Sequence, residues 1–206
     1  MAFITDCDRQ RIRAAIEAAE RRTRGEFVTV VARESDDYLY IPVLWAALIS
    51  LAIPGLAQLS LVPWLVTYTY SIQIVTFVLV AVLFRLPAIK HRLIPEYVRR
   101  QRAHRIAVEQ FFLQNLHGTE ERTGVLLFVS VGEHYVEILA DKGINDRVEA
   151  GTWDSLVADF VEEVKRGRIA DGFVRTIEGC GDLLETHFPA GEGDRNELPD
   201  HLIELP

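Results

Sequence analysis

Acidic side chains gather at the ends of three apolar runs. Glu34, Asp36 and Asp37 follow or close on "EFVTVVAR", Glu133 and His134 follow "GVLLFVSV", and Asp141 and Asp146 follow "YVEILA". In an open α/β sheet, ligands collect beyond the carboxyl ends of the strands. Hard divalent cations take several carboxylate and carbonyl oxygens, which makes Glu34, Glu133, Asp141 and Asp146 candidate ligands for Ca2+ or Mg2+. A metal held there would orient a water for hydrolysis of a phosphate ester. The four do not fall in one place, however. In an antiparallel hairpin the end of one strand lies beside the start of the next, so Glu133 and Asp141 are expected at opposite ends of the sheet.

Each of these residues also has an ordinary reading. Asp141 before "KGI" suits a turn, Glu133 and His134 suit a polar hairpin turn, and Asp36 and Asp37 suit a solvated lead into the next segment. Arg122 has the fork geometry to hold an anionic ligand through two parallel hydrogen bonds, or it pairs with its neighbours Glu120 and Glu121. His134 and Arg122 are the candidate ligand or interaction residues. No Walker loop, GxSxG elbow, HExxH helix or GxGxxG turn occurs, so no catalytic residue is assigned.

The elements that would carry these side chains follow from periodicity. "TDCD" offers Thr5 as a helix cap with Asp8 three residues on, and Ile12, Ala15, Ile16 and Ala19 then form one helical stripe. Phe27–Ala32 is β-branched and apolar on both faces except at Thr29, as in an interior strand. "TGVLLFVSV" and "YVEILA" form a hairpin about the short turn "GEH". Pro95 opens a helix whose second half has an apolar side at Ile106, Phe112 and Leu116. Trp153, Val157, Phe160, Val161 and Val164 share one helical face. Phe173, Ile177, Cys180 and Leu184 share another, which makes Cys180 a buried, inert thiol. The closing stretch "PAGEGDRNELPDHLIELP" reads as an unstructured tail. The whole is an α/β fold with helices covering a small mixed sheet.

Between the first strand and its partners, Ile41–Phe84 carries no charge. A bilayer core of about 30 Å needs roughly 20 helical residues, and this run is long enough for two spans, Leu39–Leu59 and Val66–Leu86, joined by "SLVPWLVTYTYS". The expectation is a transmembrane helical hairpin inserted into one domain. Arginines and lysines on both flanks would keep both termini and the soluble domain cytoplasmic, in a multi-pass inner-membrane protein. The basic run from Arg85 to Arg105 suits anionic headgroups or is a solvated helix face, with His104 at headgroup level. The expected boundaries are 1–37 for the first part of the domain, 38–88 for the hairpin, 89–189 for the second part and 190–206 for the tail. The net charge of −8 over 206 residues argues against nucleic acid as a partner. The two cysteines, near opposite ends of the chain, suit a reducing compartment.

"RIRAAIEAAERRTRGEFVTVVARESDDY" followed by "RTGVLLFVSVGEHYVEILADKGI" resembles the TPM-domain family, and in particular its bacterial membrane branch, where a transmembrane hairpin splits the domain. "INDRVEAGTW" and "NELPD" fit the same branch. The resemblance implies a Rossmann-like three-layer α/β/α domain. Some relatives in photosynthetic organisms are linked to phosphatase activity, divalent-metal binding and photosystem repair, while most bacterial members have no established function. Many soluble members carry an Asp-Arg pair in the hairpin turn, and the matching positions here look like Glu133 and His134. The expected function is that of a membrane-anchored interaction or membrane-protein maintenance module, with the lipid bilayer and other membrane proteins as partners. The alternative is a weak, divalent-metal-dependent phosphatase.

Overall fold

Local rules account for the first helix, α1 (Asp6–Glu20). Thr5 caps it, accepting from the Asp8 amide, while the Asp8 carboxylate accepts from the Thr5 amide at 3.0 Å. This reciprocal pair satisfies two amides that the first turn leaves open. The buried face is Ile12, Ala15, Ile16 and Ala19. A computed structural model describes residues 4–59, 68–86, 89, 93–149, 151–191, 198 and 202–205.

After α1 the described elements run β1 (Glu26–Ala32), α2 (Tyr40–Leu59), α3 (Thr69–Phe84), α4 (Glu96–Leu113), a 3-10 turn at Leu116–Gly118, β2 (Gly124–Ser130), β3 (Tyr135–Ala140), α5 (Lys142–Asn145), α6 (Thr152–Lys165), α7 (Ile169–His187) and β4 (Leu202–Leu205). The four strands form one mixed sheet in the order β3-β2-β1-β4. β1 pairs parallel with both β2 and β4, and β2 pairs antiparallel with β3. All seven residues of β1 and of β2 are buried. That is why both strands read as unbroken apolar runs rather than alternating ones.

Two apolar clusters sandwich the sheet. On one face, Phe27, Val31, Val125, Leu127 and Val129 meet Ile12 and Ile16 of α1, Phe160 of α6, and Phe173, Ile177 and Leu184 of α7. On the other, Val28, Val30, Leu126 and Phe128 meet Ala103, Ala107 and Phe111 of α4. Strand alternation thus sends consecutive side chains into different cores.

The chain divides into two compact units, residues 1–35 with 100–206, and 36–99. The second boundary falls inside α4. In the second unit α2 and α3 pack against each other, and Tyr38, Ile41 and Ile94 form a small buried cluster. The expected transmembrane hairpin is corrected here. Among the described residues, no helix is long and apolar enough to cross a membrane. α3 has 16 residues, about 24 Å at 1.5 Å each, short of a bilayer core of about 30 Å. α2 carries Pro54 in its interior. An uncharged run in sequence measures hydropathy, not helix length. The multi-pass inner-membrane localisation and the membrane anchor fall with the hairpin. The connecting "SLVPWLV", with Pro63 and Trp64, lies outside the described residues, as do Lys90 and Arg92.

The tail also differs from expectation. Leu202–Leu205 is a strand, registered from Thr29↔Leu202 to Ala32↔Leu205. His104 is not a headgroup residue, since its Nδ1 lies 2.9 Å from Glu137 Oε1 on β3. Trp153 is half-buried, and its Nε1 donates to Asn145 at 3.3 Å. Cys180 is buried as expected, and burial pushes its thiol up to about 12.

Thr29 is the one polar residue inside the apolar run of β1. Its hydroxyl is buried with no hydrogen-bond partner among the described residues. A buried, unpartnered hydroxyl costs about 1–3 kcal/mol, and an apolar group of the same shape removes that cost. Thr29→Val is therefore expected to raise unfolding stability by about 1 kcal/mol, read from urea denaturation midpoints at constant m-value.

Candidate functional site

The parallel pairing aligns the carboxyl ends of β1, β2 and β4 on one edge of the sheet. The Val131–His134 turn and the start of β3 lie on that edge as well. After the strands end, the pairing continues for two more bonds, Val131 N–H to Ala32 O at 3.0 Å and Gly132 N–H to Arg33 O at 2.9 Å. A Cβ on Gly132 would stand 2.9 Å from Arg33 O and 2.8 Å from the Glu34 Cγ, so the close approach needs glycine.

Glu133 turns inward at this edge and is 7% exposed. Its carboxylate accepts the Ser35 amide at 3.0 Å and the Ser130 hydroxyl. Ser35 in turn donates to Ser130 Oγ at 2.9 Å. The chain of donors ends on one carboxylate, so the segment after β1 is latched to the β2–β3 turn. Such a buried network is stable only when each member is satisfied. His134 adopts a left-handed backbone (φ 52°), which a non-glycine residue takes at a cost of about 1–2 kcal/mol. His134 borders a cavity of about 310 Å³ between the end of β2 and α6. Val131, Val136, Phe160, Val161, Val164 and Ile169 line most of it, and Lys165 stands at the same cavity.

The opposite edge holds the other half of the predicted set. Asp141 is 6% exposed. Arg122 donates to it from Nε at 2.5 Å and from Nη2 at 2.9 Å, a bidentate pair. Asp141 also accepts the Lys142 amide at 2.6 Å and caps α5. Arg122 sits in the left-handed region (φ 58°). A Cβ on Gly143 would stand 2.6 Å from Arg122 O, so that glycine lets α5 lie against the arginine's backbone. Burial alone would raise the Asp141 carboxyl, but hydrogen bonds from Arg122 and the Lys142 amide outweigh it and hold the group below its ordinary value of 3.8. Arg122 does hold an anion bidentately, but the anion is Asp141 rather than the neighbouring glutamates. Glu121 pairs instead with Arg24.

The predicted carboxylates therefore do not converge. The β2–β3 register, Ser130↔Tyr135 to Val125↔Ala140, separates Glu133 from Asp141 by about 17 Å of strand. Glu34 lies half-buried on the first edge, beside Gly132, and Asp146 is exposed at the end of α5. Among the described residues, no group of three or more His, Cys, Asp or Glu side chains is placed to hold a metal ion. The donor sets do not fit a divalent cation either. The Glu133 oxygens take Ser35 and Ser130, and the Asp141 oxygens take Arg122 and the cap.

One buried carboxylate was not anticipated. Glu163 on α6, 3% exposed, accepts from Arg166 at 3.1 Å, Arg168 at 2.7 Å and Arg175 at 2.8 Å. The Arg168 hydrogen bond leads in holding its pKa below 4.5. The "KRGR" stretch at the end of α6 is a sequence signal for it, and Arg175 comes from the facing helix.

The model of the TPM domain matches residues 91–183. Among solved structures, the chain is similar to the NMR structure of BA42 protein from the psychrophilic bacterium Bizionia argentinensis sp. nov.. The TM-score is 0.63 at 22% identity, covering 98% of this chain and 95% of that one. No curated protein matches the chain. The TPM-domain match covers residues 91–183, less than half of the chain, and the structural likeness at 22% identity shows a shared fold over nearly the whole length. The finer expectation, the branch with a transmembrane insertion, has no support in either comparison.

Two outcomes follow. Asp141→Ala should cost about 2 kcal/mol near neutral pH, from the lost charged hydrogen bonds and cap. Because the folded carboxyl titrates below 3.8, its contribution is complete above that value and fades as pH falls further. The gap between wild type and variant in urea melts should therefore narrow by about pH 3. Millimolar Ca2+ or Mg2+ should leave the melting temperature unchanged, whereas an ion 100-fold above its Kd would add about 2.7 kcal/mol.

Proposed function

We propose that the α/β unit is a binding module, and that its site is the cavity at the end of β2, which takes an aliphatic group carrying an anionic end. One observation carries the reading: a cavity of about 310 Å³, with mostly apolar walls, lies beyond the carboxyl end of a parallel strand. That is where open α/β sheets bind ligands, and the volume sits at the lower bound of small-ligand sites, about 300 Å³.

The chemistry of the lining selects the ligand. Val131, Val161, Val164 and Ile169 offer dispersion contacts and no hydrogen bonds, so an alkyl chain gains about 0.8 kcal/mol per buried methylene there. Lys165 and His134 are the polar groups with side chains free enough to meet an anionic end. Among the described residues Lys165 is held by an exposed ion pair with Glu162 at 2.9 Å, which solvent screens, so it exchanges partners at little cost. Ser130, which also borders the cavity, is committed to Glu133. His134, next to Glu133 in the same turn, lines the cavity while Glu133 stays bonded to Ser35 and Ser130.

Isothermal titration with a medium-chain carboxylate such as decanoate tests this. Stoichiometric binding is expected, abolished in Val161→Trp by filling the cavity and weakened about tenfold in Lys165→Gln by loss of the charge. Decanol, which lacks the anion, should bind wild type and Lys165→Gln equally. Absence of saturable binding, or binding indifferent to Val161→Trp, contradicts the proposal.

A further inference from the structure

β4 differs from the other strands in how it is held. The chain is already fastened beside β1 before β4 begins. Arg24 N–H donates to Phe188 O at 3.0 Å, the Thr23 hydroxyl donates to the same oxygen at 2.7 Å, and Ala190 N–H donates to Arg22 O at 3.1 Å. These bonds fasten the chain just after α7. Between that point and β4, the Leu198 amide donates to Glu26 Oε2 at 3.2 Å. β4 is also short, at four residues, and none of its side chains is fully buried. β1 beside it is buried at all seven positions.

The contacts of β4 nevertheless define a groove with sockets. Leu202 packs on the α1/α7 side of the sheet, while Ile203 and Leu205 pack on the α4 side. Glu204 is held by Arg9 Nε at 2.5 Å. Beyond the ladder, Arg33 N–H donates to Leu205 O at 3.2 Å. We propose that the outer edge of β1 is an acceptor site for an extended peptide of a partner protein. The peptide runs parallel to β1 with the pattern apolar, apolar, acidic, apolar, and Leu202–Leu205 is the resident occupant that it displaces. Main-chain bonds give such strand addition its affinity, and alternate side chains give it specificity. Here the alternation addresses two separate cores, and the acidic position reads Arg9. An edge that was not filled would be a hazard for non-specific pairing, so a self-strand that yields to a better one both protects the edge and gates it.

Because the resident strand belongs to the same chain, it competes intramolecularly with any added peptide. Weakening it should expose the site. The probe is a fluorescent peptide of residues 198–206, Leu-Pro-Asp-His-Leu-Ile-Glu-Leu-Pro, titrated by anisotropy into the full-length chain. Glu204→Arg in the chain sets the resident strand against Arg9, at a position where neither side chain is buried. This variant should bind the peptide at least tenfold more tightly than wild type. A peptide carrying arginine at the acidic position should bind it at least tenfold more weakly, and Arg9→Glu in the chain should reverse that preference. In amide spectra the shifts should concentrate on Thr29–Arg33. Equal binding to wild type and Glu204→Arg, no binding to either, or dimerisation of Glu204→Arg in place of peptide binding would overturn the proposal. Circular dichroism melts of each variant confirm that the fold is intact.

Discussion

The parallel pairing of β1 with β2 is the constraint on which the rest depends. It joins Glu26–Ala32 to Gly124–Ser130, segments roughly ninety residues apart. Closing a loop of that length costs about 4 kcal/mol in chain entropy before any contact is returned. What offsets it is that both strands bury every residue, and each sends alternate side chains into two cores. Phe27, Val31, Val125, Leu127 and Val129 hold α1, α6 and α7 on one side, while Val28, Val30, Leu126 and Phe128 hold α4 on the other. Loss of this pair would undo both layers together. The two edges where chemistry could sit are by-products of it, since the ends of β2 fix where the Glu133 turn and the Asp141 cap lie.

Buried carboxylates form the second tier. Glu133, Asp141 and Glu163 are each nearly inaccessible, and each is met by at least one donor from another element: Ser35 after β1 for Glu133, Arg122 before β2 for Asp141, and Arg175 of α7 for Glu163. A buried charge is tolerable only when paired and hydrogen-bonded. This commits the oxygens to structure, and the same commitment makes these carboxylates poor metal ligands. The apolar cavity beside His134 is what remains on the carboxyl edge for a ligand to use.

Much of the α/β unit was legible in the sequence. β1, β2 and β3 announce themselves through β-branched runs, Thr5 and Asp8 through a capping box, and Phe173, Ile177, Cys180 and Leu184 through a 3.6-residue stripe. The opposite placement of Glu133 and Asp141 follows from hairpin geometry. The parts that were not legible depend on distance or on length. Glu163 lies among polar neighbours in sequence, and its burial depends on Arg175 from another helix. The partner of Arg122 is 19 positions away while two glutamates sit beside it. "HLIEL" is short and follows an acidic, glycine-rich stretch, so its pairing with β1 has no local signature. The run from Ile41 to Phe84 was read by its lack of charge, whereas a spanning element is set by continuous helix, and α3 supplies 16 residues.

Amide hydrogen exchange measured residue by residue tests the central role of β1 most directly. The account predicts that Phe27–Ala32 and the facing amides of β2 exchange last, through global unfolding, while β4 opens independently and exchanges much sooner. Protection of β1 no greater than that of α1 or α4, or β4 exchanging only with the whole molecule, would contradict it.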